Sequence, residues 1–170
     1  MKKLSLLLLF LFNCLLVQAQ AVTIKPETFQ YAGVVGNTFN AITGFNLSGS
    51  GLFFSSGTIG TFFASANIPL PNGAKIVEMT AMYIDNSATQ NMTFRLLRQG
   101  FTGGAVIETL ALTPTSSPSV QATTIPISPV YTTNTSNEVY YVQVGLSDTS
   151  VTWPGNSLTI IGVIIKYKLE

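Results

Sequence analysis

From Glu138 to Leu146 the chain reads EVYYVQVGL, in which Tyr140, Val142, Val144 and Leu146 alternate with Val139, Tyr141, Gln143 and Gly145. Successive side chains of a strand point to opposite faces, so this order gives one core face and one more polar face and does not suit a helix. Short runs of the same kind, rich in β-branched and aromatic residues, predict strands over 58–68, 74–85, 92–99, 105–112, 120–127, 138–146 and 158–169. Two less regular ones cover 22–29 and 51–55, and Pro26 demotes the first to an edge. Pro69 and Pro71 end the 58–68 run, and PNG at 71–73 has the residues of a turn. TPTSSPS at 113–119 and SPVYTTNTSN at 128–137 are expected to be surface loops. No window beyond the first twenty residues has apolar residues at i, i+3, i+4 and i+7 free of Gly, Pro or β-branched runs. The expected fold is all-β, a two-sheet antiparallel β-sandwich, jelly-roll-like, with about eight or nine strands.

The first twenty residues, MKKLSLLLLFLFNCLLVQAQ, place Lys2 and Lys3 ahead of an apolar run. This is the layout of a secretory signal peptide cut after Ala19, too short to be a membrane anchor. Residues 1–19 are therefore read as the signal and 20–170 as a single β-sandwich domain. The implied location is secreted: periplasm, cell surface or extracellular. Cys14, the only cysteine, follows Asn13, where a lipoprotein signal would have a small residue, so lipid attachment is disfavoured. Beyond the signal there is no Cys and no His, which leaves no disulfide to form and assigns stability to packing.

The same absence excludes Ser–His–Asp and Cys–His catalysis and the usual zinc and copper ligand sets. No phosphate-cradling glycine loop joins a strand to a helix, and no cofactor is predicted. Six basic residues face seven acidic ones after the signal, which gives no footprint for nucleic acid and no polybasic patch for membranes. An outer-membrane barrel is disfavoured, because the chain ends IIKYKLE instead of in an interfacial aromatic residue and the segment lengths are irregular. A glycosidase would need two carboxylates facing one another. Glu78, Glu108 and Glu138 read as lone acids on strands, Glu78 as a cross-strand partner of Arg95 or Arg98. The chain is accordingly read as non-enzymatic.

The stretch YIDNSATQNMTF at 83–94 is expected to be a hairpin in which Tyr83 and Phe94 face the core together. Asp85, Asn86 and Ser87 bond their own backbone in turns and account for the bend. With Asp85 as the one local carboxylate, it is a weak metal candidate and no metal is assigned. The N-x-S/T triplets at Asn46, Asn91 and Asn134 are chance matches in a bacterial-looking export context. The segment IPLPNGAKIVEMTAMYIDNSATQNMTFRLLRQ resembles one that recurs in uncharacterised secreted bacterial proteins, an LPxGA turn, then YxDNS, then N-hydrophobic-x-hydrophobic-x-L-x-R. Leu70, Pro71, Gly73, Ala74, Tyr83, Asp85, Asn86, Ser87, Asn91, Phe94, Leu96 and Arg98 fill that pattern. The resemblance implies a β-sandwich and no activity.

Two non-enzymatic readings follow. In the first the protein is a structural or surface-interaction protein that self-assembles or adheres. Ile161, Val163, Ile165 and Tyr167 line one face of the last strand while Leu158, Ile160 and Ile164 make the other apolar, which calls for a cover from the N-terminal region or a second protomer. Met82, Ile84 and Leu97 lean towards the same homo-oligomer. In the second it is a carbohydrate-binding module that stacks a surface glycan on exposed aromatics, with Trp153 first and Tyr131 and Tyr141 behind. The other reading of Trp153 is a plug at the end of the sandwich, held by Pro154 and Gly155. The pairs Phe53–Phe54 and Phe62–Phe63 are expected to span two packed faces each.

Overall fold

The structure, a computed structural model, describes residues 27–41, 44–49, 51–113 and 115–169. The signal segment with Cys14, most of the 22–29 stretch including Pro26, and Glu170 lie outside the described residues. Among the described residues eleven strands are formed: β1 (Phe29–Val35), β2 (Asn40–Ala41), β3 (Phe45–Ser48), β4 (Gly51–Phe54), β5 (Ala64–Asn67), β6 (Lys75–Asp85), β7 (Met92–Gly100), β8 (Gly103–Ala111), β9 (Ser117–Thr132), β10 (Glu138–Leu146) and β11 (Leu158–Lys168). They make two antiparallel sheets packed as a β-sandwich. The first has the order β3-β4-β11-β6-β9 with β1 also on β11, and the second β2-β5-β10-β7-β8.

Strong alternation produced the long strands: β6, β7, β10 and β11 lie within a residue of their expected bounds. The differences have local causes. Only Ala64–Asn67 of the 58–68 run is a strand, because the glycines at 57 and 60 bend the preceding residues into turns. β9 takes in the end of the first segment expected to be a loop and the start of the second, 117–119 and 128–132, carrying Pro118, Pro126 and Pro129, while 133–137 remain a turn. It is an edge strand, where a residue without an N–H leaves no ladder bond unmade.

Residues 83–94 are a correction. β6 pairs with β11 and β9, whereas β7 pairs with β10 and β8, so the stretch is a corner between the sheets and not a hairpin. The turn chemistry still shapes it: Ser87 N–H donates to Asp85 Oδ1 (3.1 Å), and Gln90 N–H to Ser87 Oγ (3.0 Å). Tyr83 and Phe94 meet in the core from opposite sheets, ring centroids 6.1 Å apart.

The last strand also differs. A register shift between Ile160 and Gly162 inserts one residue, so Leu158 and Ile160 and then Val163, Ile165 and Tyr167 all face inward. A bulge changes which residues share a face without ending the strand. Its outer face keeps Ile161 and Ile164, both half-buried. At this point β1 and β4 meet end to end along β11, and Gly36 and Gly51 occupy the junction. A Cβ on either would lie 2.4 or 2.2 Å from the Ile160 carbonyl oxygen, so only glycine fits.

Candidate functional site

Trp153, the first-ranked ligand residue from sequence, is 1% exposed. Its ring stacks on Phe54 at 4.4 Å between centroids, and its Nε1–H donates to the Phe62 carbonyl (3.3 Å). The indole is a core plug at one end of the sandwich and offers no face to a ligand. Of the two readings of Trp153 in the sequence, the structure has the plug held by Pro154 and Gly155 and not the ligand-stacking ring. Asp85 is likewise fully buried, and burial pushes its carboxyl up against the opposing effect of the Ser87 and Thr115 hydrogen bonds. No group of three or more Asp, Glu, His or Cys side chains is placed to hold a metal ion among the described residues.

Tyr131 is half-buried in a side-chain cluster at the other end. Its hydroxyl donates to Glu138 Oε2 (2.7 Å), as does that of Tyr140 (2.6 Å), while Arg98 Nη1 donates to Glu138 Oε1. The Tyr140 hydroxyl accepts the Asn134 N–H (2.7 Å), and the Arg98 guanidinium lies 5.8 Å from the Tyr131 ring centroid. The Tyr140 and Tyr131 hydroxyls, with Arg98, hold the Glu138 carboxyl below its ordinary range, and burial and Glu138 together push the Tyr140 phenol up. Glu138 is thus Arg98's partner, and Glu78 pairs instead with Lys166 across β6 and β11 (2.7 Å). The cluster ties the β9–β10 connection to β7 and is spent on internal bonds.

Tyr141 alone of the three candidates points outward, from the middle of β10. Strand register builds its surroundings. Asn67, Tyr141, Leu97 and Val106 form one row across the second sheet, and Ser65, Gln143, Arg95 and Thr109 the next. Beyond these, Gly145, Thr93 and Ala111 form a row of small residues, and Gly145 leaves a shallow cleft of about 50 Å³ beside Phe63, Arg95 and Gln143. Phe63, one of the rings expected to pack, is 42% exposed there.

In the other direction along β10, Val139 is exposed and leads to the end of the sheet. A groove of about 300 Å³ lies between the β7–β8 turn, with Phe101, and the β9–β10 connection, with Thr135 and Asn137. A hollow of about 450 Å³ on the other side of Val139 is lined by Asn67, Pro69, Leu70 and Tyr140. The outer face of the second sheet therefore forms a track along β10 from Phe63 past Tyr141 to Phe101. Outward residues on one strand are spaced by about 7 Å, so the four from Gly145 to Val139 extend over roughly 20 Å. Amide, hydroxyl and guanidinium groups alternate with apolar ones along it.

Sequence reading gave no role to Phe101, which is 93% exposed at the hairpin tip. It also missed Arg95 and Gln143, whose proximity to Tyr141 depends on which strands are neighbours. Their alternation within single strands did signal the outward direction.

No protein-family model matches the chain, and no curated protein matches it. Solved structures do, at the level of the fold. A xylan-binding module of carbohydrate-binding family 15 aligns at a TM-score of 0.51 and 14% identity, over 85% of this chain and 99% of that one. The family 22 xylan-binding domain from Paenibacillus barcinonensis aligns at 0.51 and 13%, over 87% and 100%. A family 6 carbohydrate-binding module from Clostridium cellulolyticum, solved with xylose, aligns at 0.51 and 14%, over 78% and 95%. The likeness is one of sandwich architecture.

Proposed function

We propose that the protein is a secreted, non-enzymatic glycan-binding module that lays a polysaccharide chain along the outer face of β10. The carrying observation is the row structure of that face: a tyrosine ring with Asn67 beside it and Gln143, Ser65 and Arg95 in the adjacent row. A sugar presents an apolar C–H face and a rim of hydroxyls, and binding sites for such ligands combine a few flat apolar surfaces with a few polar groups that fix orientation. Tyr141 supplies the first, and the amides, hydroxyls and guanidinium supply the second. The similarity to xylan-binding and xylose-bound sandwiches supports the same ligand class for this chain. The sequence-level signal peptide supports an extracellular place of action.

Binding to soluble β-linked polysaccharides, measured by affinity electrophoresis, is expected for the native chain and reduced at least tenfold in Tyr141→Ala, whose thermal midpoint stays within about 2 °C because the ring is only half-buried. Retained binding in that variant would contradict the proposed site. A second reading, self-association, is favoured by the outer face of the first sheet. There Val35 and Val120 are exposed and Met82, Ile84 and Ile164 half-buried. Sedimentation velocity that gives a dimer would support it, and monomers at all concentrations would remove it.

A further inference from the structure

The cations among the described residues are nearly all engaged. Arg98 is held by Glu138, Lys166 by Glu78 (2.7 Å) and Lys168 by Glu27 (2.6 Å), and Lys75 is engaged as well. Arg95 is the exception among the described cations: it is exposed, with no carboxylate, acceptor or ring in contact. Its place is the centre of the proposed binding face, with Gln143 on one side, Thr109 on the other and the Tyr141 row next to it. Glu108, on the neighbouring strand, lies opposite Leu96 where the β7–β8 register shifts, and its Oε1 accepts the Thr109 N–H (2.9 Å) instead of meeting Arg95.

A guanidinium is a rigid fork of N–H donors that matches the two oxygens of a carboxylate or of a sulfate ester, and an open one beside a sugar-stacking ring is suited to a charged sugar. We infer that the preferred ligand is an anionic polysaccharide, whose acidic sugar is held by Arg95 about 7 Å from the sugar stacked on Tyr141. This rests on the reading of the face as a glycan site. The whole chain has a formal net charge of only +1, so it exerts little general attraction for polyanions, and a charge preference would have to arise locally.

Two series on fixed backbones test it by isothermal titration at low salt: neutral xylan, glucuronate-substituted xylan and sulfated xylan, and neutral β-glucan with its C6-oxidised and sulfated forms. The expected result is affinity about tenfold higher for at least one charged form than for its neutral parent, a gain that fades with added salt. Arg95→Gln, with an unchanged thermal midpoint, abolishes that gain, so that the charged and neutral forms bind the variant with equal affinity. If the uronate form gains, the carboxylate is the anion, and if only the sulfated form gains, the ester is. Equal affinity for neutral and charged forms, or a preference that survives Arg95→Gln, overturns the inference while leaving the glycan reading intact. Failure of every member of both series to bind overturns the glycan reading itself, and the inference with it.

Discussion

Glu138 is the residue on which the most polar contacts converge, since it accepts from two phenols and a guanidinium with its side chain 11% exposed. A carboxylate so bonded favours its ionised form, and its folded pKa lies below the ordinary value of 4.5, with Tyr140 and Tyr131 as the leading causes. A depressed folded pKa stabilises the fold above the unfolded value, and that stability is lost as pH falls through the folded one. Glu138→Gln should therefore cost about 2 kcal/mol at pH 7 in urea unfolding, in line with charged hydrogen bonds that are mostly buried. The difference should narrow below pH 4.5, and a pH-independent difference would contradict the assignment. Little of this was legible in the sequence: Glu138 begins a clearly alternating strand, but Tyr131 and Arg98 reach it from other strands. Trp153 left two readings open for a related reason, because a plug and an exposed ring are separated only once Phe54, about a hundred residues earlier, is found stacked against the indole.

At the scale of elements, the junction of β1 and β4 on β11 demands the most of the backbone. Gly51 has φ +146°, a region that side chains rarely adopt, and an added Cβ would meet the Ile160 carbonyl. Gly51→Ala is expected to destabilise by about 3 kcal/mol, read as a lower urea midpoint at constant m-value. Gly73 also has positive φ but has open space around it, so Gly73→Ala should cost only about 1 kcal/mol. Equal effects would show that the clash does not govern the junction. The strands themselves were legible wherever period-2 alternation was unbroken, as in β6, β7 and β10. They were not legible where partnering decides the outcome: β9 keeps three prolines because it lies at an edge, and the bulge in β11 turns the two apolar faces read from its sequence into one core face.

Over the whole molecule, the β-sandwich followed from alternation, turn residues and the lack of helical period, and the solved neighbours share it. The binding face did not follow, because a face is an order of strands. Once β5, β10, β7 and β8 are neighbours, Asn67, Tyr141 and Leu97 fall in one row and Ser65, Gln143 and Arg95 in the next. Trp153 is buried against Phe54 and Tyr131 is held in the Glu138 cluster, which leaves Tyr141 as the outward ring of the three candidates. The most direct test is a two-dimensional amide NMR titration of the labelled protein with a bound oligosaccharide. The account predicts that shifts concentrate on residues 139–145 of β10, on 93–97 of β7 and on 65–67 of β5, with β1, β6 and β11 unmoved. Shifts confined to the outer face of the first sheet, or around Trp153, would contradict it.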